Sequence, residues 1–227
     1  MPASGCLQRL WPPMGPERKP PAIAVLAVLV ALVLTGCRDD VPVSQDNICT
    51  VLEQRPSWYQ YARESEARWG TPVPVLLAFV QFESGFRDTA RPPREYLLGV
   101  LPWRWQTTAY GYAQAKDGTW EDYLAANPGP FRKRSDMEDA LDFIGWYNHL
   151  SATRLGFDKT DARRLYLAYH QGRTGYRRGD WRDEPHVRGY ADRVATLASR
   201  YTRQLEGCAK ALACGRWYQF WPFCGDG

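Results

Sequence analysis

Glu83 is the residue in this 227-residue chain best placed to do acid chemistry. It ends an apolar run, Val75-Leu-Leu-Ala-Phe-Val80, and is followed by Ser84, Gly85 and Phe86. If 73–86 is helical, with Thr71 as N-cap and Pro72 at the first position, the helix is apolar on nearly every face and so belongs at the centre of the domain. A carboxylate near its C-terminal end is disfavoured in the ionised form twice, by desolvation and by the negative end of the helix dipole. Both effects raise its pKa, which is how a general acid is made from glutamate. A salt-bridged residue at a helix end is the plainer use of such a glutamate.

Stepping outward, the elements that must hold Glu83 are helical almost throughout from Asp46 onward. Ser57 can cap a helix with Trp58, Tyr61, Ala62, Ser65 and Trp69 on one face, closed by Gly70. Thr119 to Ala126 reads as a short helix ended by Asn127-Pro128-Gly129-Pro130. Ser135 and Glu138 form a capping box before Ala140, Leu141, Ile144, Tyr147, Asn148 and Leu150 at helical spacing. Thr160 caps another helix, with Leu165, Ala168 and Tyr169 inward and Gly172 as its stop. Pro185 opens the last, where Val187, Tyr190, Val194, Leu197, Tyr201, Leu205 and Cys208 make an apolar stripe. The fold class is therefore mainly α in one domain. Residues 87–110 are the exception, a proline-containing segment with Tyr96, Trp103 and Trp105 and room for a short hairpin. A loop of that length inside a compact domain suggests function.

Composition narrows the partners. The chain is 44% hydrophobic with ten tryptophans and thirteen tyrosines, more aromatic surface than a core needs and suited to lining grooves for flat-faced ligands. The formal net charge of +4 contains no basic stripe, which argues against a nucleic-acid partner. Residues 1–36 read as a signal peptide: positive charge, then the apolar run Ala22 to Leu34, too short for a comfortable membrane span. Leu34-Thr35-Gly36-Cys37 resembles a bacterial lipobox, which implies lipidation of Cys37 and a membrane partner through that anchor. Residues 37–45 would be a linker, and Arg38 rather than Asp after the cysteine leans toward the outer membrane. An exported chain keeps Cys49, Cys208, Cys214 and Cys224 in an oxidising compartment. Of three pairings, Cys49 with Cys208 and Cys214 with Cys224 is favoured, the first tying the domain's start to its last helix. The spacing fits no standard zinc site, so neither metal nor cofactor is expected. Residues 209–227 form a Cys- and Trp-rich tail whose Trp217 to Phe223 is too apolar for a free linker.

Three segments in order carry a family resemblance: Glu83-Ser84 with Phe86, Gly111-Tyr112-Ala113-Gln114, and Ala168-Tyr169-His170-Gln171-Gly172. The series resembles the soluble-lytic-transglycosylase family with its goose-lysozyme-like fold, and covers roughly residues 57 to 205. The resemblance implies a domain over 46–208 with a groove for peptidoglycan glycan strands, and cleavage between N-acetylmuramic acid and N-acetylglucosamine with a 1,6-anhydro product. It implies that Glu83 is the single acid and base, that Ser84 helps hold substrate, and that Gly111, Tyr112 and Gln114 shape the groove. It further implies that the Tyr169 hydroxyl contacts Glu83 and that Gly172 closes the third motif. Tyr112-Ala113 in place of Leu-Met lines the groove floor differently, and His170 in place of Asn adds a titrating group. Asp88 and Asp117 are candidate second carboxylates, with surface capping as the simpler account. Trp103 and Trp105 suit either sugar stacking or packing. A goose-type hydrolase and a non-catalytic peptidoglycan-binding lipoprotein are the alternatives.

Overall fold

The computed structural model describes residues 41–42, 44–97 and 100–213, which fall within one compact unit. The expected signal peptide, Cys37, Cys214, Cys224 and the aromatic tail lie outside the described residues. Among the described residues seven α-helices and one two-stranded sheet are present: α1 (Ile48–Gln54), α2 (Pro56–Trp69), α3 (Val73–Ser84), β1 (Arg94–Leu97), β2 (Leu101–Trp105), α4 (Asp117–Ala126), α5 (Met137–Leu155), α6 (Ala162–Arg178) and α7 (Pro185–Ala213). The mainly helical class holds, and the loop does contain a hairpin: β1 and β2 pair antiparallel with Arg94 opposite Trp105.

α3 is the centre. Val73 and the run Val75 to Val80 are buried, and the helix packs against α2, α5 and α7. Most of it is covered on all sides, with only Pro74 and the last-turn residues Gln81, Phe82 and Glu83 partly exposed, which is why its sequence lacks the usual polar stripe. Its start differs from the expected one. Pro72, not Thr71, is the N-cap, and the carboxylate of Glu66 on α2 accepts from the Val73 N–H. Thr71 is buried with its hydroxyl unpartnered among the described residues. Four further starts are shifted by a residue or two. α2 begins at Pro56 after an Arg55 N-cap, α4 begins at Asp117 rather than Thr119, α5 is capped by Asp136 rather than Ser135, and α6 by Asp161 rather than Thr160. In the last two the aspartate side chain accepts the free N–H groups that the hydroxyl was expected to take.

α7 closes the domain over α3 and α6. Its stripe of Val187, Val194, Leu197, Tyr201 and Leu205 is buried as its spacing predicts. A disulfide between Cys49 and Cys208, with Cα atoms 6.1 Å apart, fastens α1 to α7 across 159 residues. In the chain-entropy picture a loop of that length stabilises by about 5 kcal/mol. Gly172 does not stop α6. It takes φ 70° and ψ 156°, breaking the helix locally, and the chain resumes helical geometry to Arg178. Tyr176 beyond the break stacks on Trp181 and meets Phe157 edge-on, which gives the resumed segment its own packing.

Candidate active site

Glu83 lies in the last turn of α3, where the chain must leave the helix sharply. Gly85 closes the turn in the left-handed region, and Phe86 follows at φ 58°, a conformation uncommon for a bulky residue. Phe86 is held there by burial and by a stacked contact with Trp58 at 5.5 Å between ring centroids. The second motif supplies the opposite wall through a similar turn. Gly111 has φ 77°, and a Cβ on it would lie 2.0 Å from the Arg134 carbonyl oxygen, so only glycine fits. Gln114 takes φ 47° and donates its side-chain N–H to the carbonyls of Ala90 and Gly111, each at 2.9 Å. Backbone strain of this kind gathers where a structure fixes a functional geometry.

Between these turns and α6 opens a cleft of about 520 Å³. Glu83, Gln114, Lys116, Tyr147, Tyr169 and His170 are among its lining residues, with Phe143 and Gly172. Among the described residues, Glu83 is the one carboxylate in that lining. Asp88 does not line it, nor does Asp117, which pairs with Arg134 at 2.8 Å.

Aromatic rings crowd the floor. Phe79 meets Tyr166 and Tyr169 edge-on, each at 5.3 Å, and Phe82 meets Tyr166 at the same distance. Burial among them pushes the Glu83 pKa up to about 7, against a hydrogen bond from Tyr166 and the charge of Lys116, both of which pull it down. Desolvation wins, so near neutrality the group exists in both protonation states. Tyr166 is itself buried, and desolvation together with the Glu83 charge holds its hydroxyl far above the usual tyrosine range. It is a fixed donor.

The placement of the remaining predicted residues is mixed. Gln114, Tyr169 and His170 line the cleft with Glu83, and Gly111 shapes the wall. Burial lowers the His170 pKa, which favours neutral imidazole. The Tyr169 hydroxyl does not make the expected contact with Glu83. It donates to the Ala113 carbonyl at 2.6 Å, tying α6 to the second motif, and Tyr166 makes the hydrogen bond to Glu83. Ser84 is buried outside the cleft lining, and its hydroxyl donates back to the Val80 carbonyl at 3.0 Å. Tyr112 is buried against the edge of Trp58 and stands behind the wall rather than in it. Tyr147 and Lys116, which line the cleft, and Tyr166, buried beneath it against Glu83, are the groups that sequence reasoning missed. Tyr166 precedes Tyr169 by three residues and so shares its helix face, a signal the spacing did carry.

Residues 25–208 match the family described as Transglycosylase SLT domain. The chain belongs to that family. Membership accounts for the helical lysozyme-like domain and supports lytic transglycosylase activity on peptidoglycan as its general function. No curated protein and no solved structure matches the chain. Among the described residues of this SLT-domain protein, no group of His, Cys, Asp and Glu is placed to hold a metal ion, and no helix is long and apolar enough to cross a membrane.

Proposed function

We propose that this SLT-domain protein is a lytic transglycosylase that cleaves the β-1,4 bond between N-acetylmuramic acid and N-acetylglucosamine, with Glu83 as acid and then base. The observation that carries the reading is a single desolvated carboxyl in the cleft lining, held near neutrality by burial and fixed by the Tyr166 hydroxyl. Ordinary glycosidases place two carboxylates on either side of the bond. A cleft with one suits a reaction that needs no second.

Protonated Glu83 donates to the glycosidic oxygen as the bond breaks, so the leaving sugar departs as a neutral alcohol. The resulting carboxylate is stabilised by Tyr166 and by the positive field of Lys116. It then removes the proton of the muramoyl 6-hydroxyl, whose oxygen closes on the anomeric carbon. Glu83 ends protonated, ready for the next turn, and no water is consumed. Gln114, with its N–H groups engaged by backbone carbonyls, offers its amide oxygen as an acceptor for sugar hydroxyl or amide N–H groups. Lipidation at Cys37 would place the enzyme on the periplasmic face of an envelope membrane, the outer one by the residue at position 38.

Purified peptidoglycan digested with the full chain and analysed by mass spectrometry should yield 1,6-anhydromuramoyl ends. Reducing ends in their place would mean a goose-type hydrolase that admits water. Absence of any cleavage would leave a peptidoglycan-binding lipoprotein.

A further inference from the structure

Beside the cleft, the hairpin and the segment leading to Gly111 present a row of alternating cations and rings. The Arg134 guanidinium lies 5.5 Å from the Tyr110 ring centre, Arg91 lies 4.2 Å from Tyr110 and 5.3 Å from Trp105, and Arg94 lies 4.2 Å from Trp105. The row follows the rim. Pro92, next to Arg91, lines the cleft, and so do Ala109, next to Tyr110, and Ala115, whose carbonyl accepts the Tyr110 N–H.

The three arginines are not equivalent. Arg134 is used internally, paired with Asp117 and donating to the carbonyls of Thr108 and Ala115. Arg91 and Arg94 are exposed, and among the described residues no ion pair engages either. Stacking on an aromatic face restrains a guanidinium while leaving its N–H edge open, and that edge matches a carboxylate with two parallel hydrogen bonds. Two such forks over one indole, at the rim of a saccharide cleft, face an anion attached to the saccharide. The peptide that hangs from the muramoyl lactyl ether carries free carboxylates and leaves the glycan sideways.

We propose that Arg91 and Arg94, held against Trp105, bind the carboxylates of the peptidoglycan stem peptide and so select peptide-bearing strands. The proposal rests on the peptidoglycan reading above. Its test separates the two by measuring binding and cleavage independently.

Full-length Glu83→Gln protein, which retains the rim, is titrated onto intact sacculi and onto the same sacculi stripped of peptides by an amidase. Intact material should bind about tenfold more tightly, the size of one charge-assisted contact, and the advantage should shrink with added salt. Arg91→Gln with Arg94→Gln should erase the difference, and Arg91→Lys with Arg94→Lys should restore only part of it, because an ammonium lacks the fork. Both arginines are exposed, and circular dichroism with thermal unfolding verifies the fold of each variant. Equal binding of intact and stripped sacculi by the parent overturns the proposal, as does a difference that survives both glutamines. The same arginine variants in the Glu83 background are assayed for cleavage. Cleavage without peptide preference refutes the rim and leaves the transglycosylase standing, whereas peptide preference without cleavage by the Glu83 parent refutes the transglycosylase and leaves the rim.

Discussion

Among the described residues, two carboxylates accept a hydrogen bond from a buried tyrosine, and they are used in opposite ways. Asp142, on α5, accepts from the Tyr123 hydroxyl at 2.6 Å and from the Trp69 indole N–H at 2.6 Å. It also pairs with Arg68 at 3.1 Å and Arg132 at 3.3 Å. Its charge and its lone pairs are answered from every side. Arg132 also bonds the Tyr123 hydroxyl and lies over its ring, so the cluster locks α2, α4 and α5 together. Glu83 has the tyrosine and lacks the arginines. Lys116 acts on it through its field alone, and burial prevails. A buried acid that is fully compensated is a tie between helices, and one left undercompensated keeps a proton it can spend.

The widest separation between the two should appear on neutralising each acid in turn. Glu83→Gln should lower cleavage by about 10³-fold or more, the scale of a lost general acid, with no loss of thermal stability above pH 7 because a poorly compensated charge has been removed. Asp142→Asn should do the reverse. We expect a loss of about 2 kcal/mol in denaturant unfolding, less than for a fully buried pair because the Arg68 side chain is 48% exposed, with turnover of the folded fraction near wild type. Equal behaviour of the two variants would dissolve the distinction.

The pH dependence of stability sharpens it. The Glu83 pKa is raised from 4.5 in the ordinary state to about 7 in the fold, so the folded chain holds a proton that the unfolded chain has released. Its contribution is complete below about 4.5 and is lost as pH rises through about 7. Wild-type stability relative to Glu83→Gln should therefore fall across that window by about 3 kcal/mol. A flat difference would return Glu83 to the ordinary range. The smallest effect belongs to Tyr166→Phe. Its hydroxyl favours the ionised acid, so its loss should raise the Glu83 pKa by a further step of about one unit and slow cleavage roughly tenfold. The signature is an alkaline limb of the rate profile moved to higher pH. A rate lost with no movement of the limb would mean only damaged packing.

Much of the scaffold was written plainly in the chain. The all-apolar α3, the stripe of α7, Gly70 and the Cys49–Cys208 clasp each rest on periodicity or on one residue with few alternatives. Caps slipped by one position because Ser135-Asp136 and Thr160-Asp161 put two cap-formers side by side, and the path of the chain chooses between them. Within the site, a motif specifies a neighbourhood without specifying which way each side chain turns. Tyr112 sits between cleft-shaping residues but is drawn inward by Trp58, and the Ser84 hydroxyl turns back to the Val80 carbonyl one helical turn earlier. Tyr169 and Tyr166 share one helix face, and the hydroxyl that meets Glu83 is fixed by how α6 settles on α3. Such outcomes are decided by packing between helices far apart in sequence.

The central claim is that the Glu83 carboxyl holds its proton to near neutrality in an otherwise carboxylate-free cleft lining. Carbon-13 NMR of the full chain labelled at glutamate side-chain carboxyls, assigned by the resonance missing in Glu83→Gln, follows that one group directly through pH. The account predicts a titration centred near 7 that moves upward in Tyr166→Phe. A Glu83 resonance titrating near 4.5 in the folded protein would contradict it.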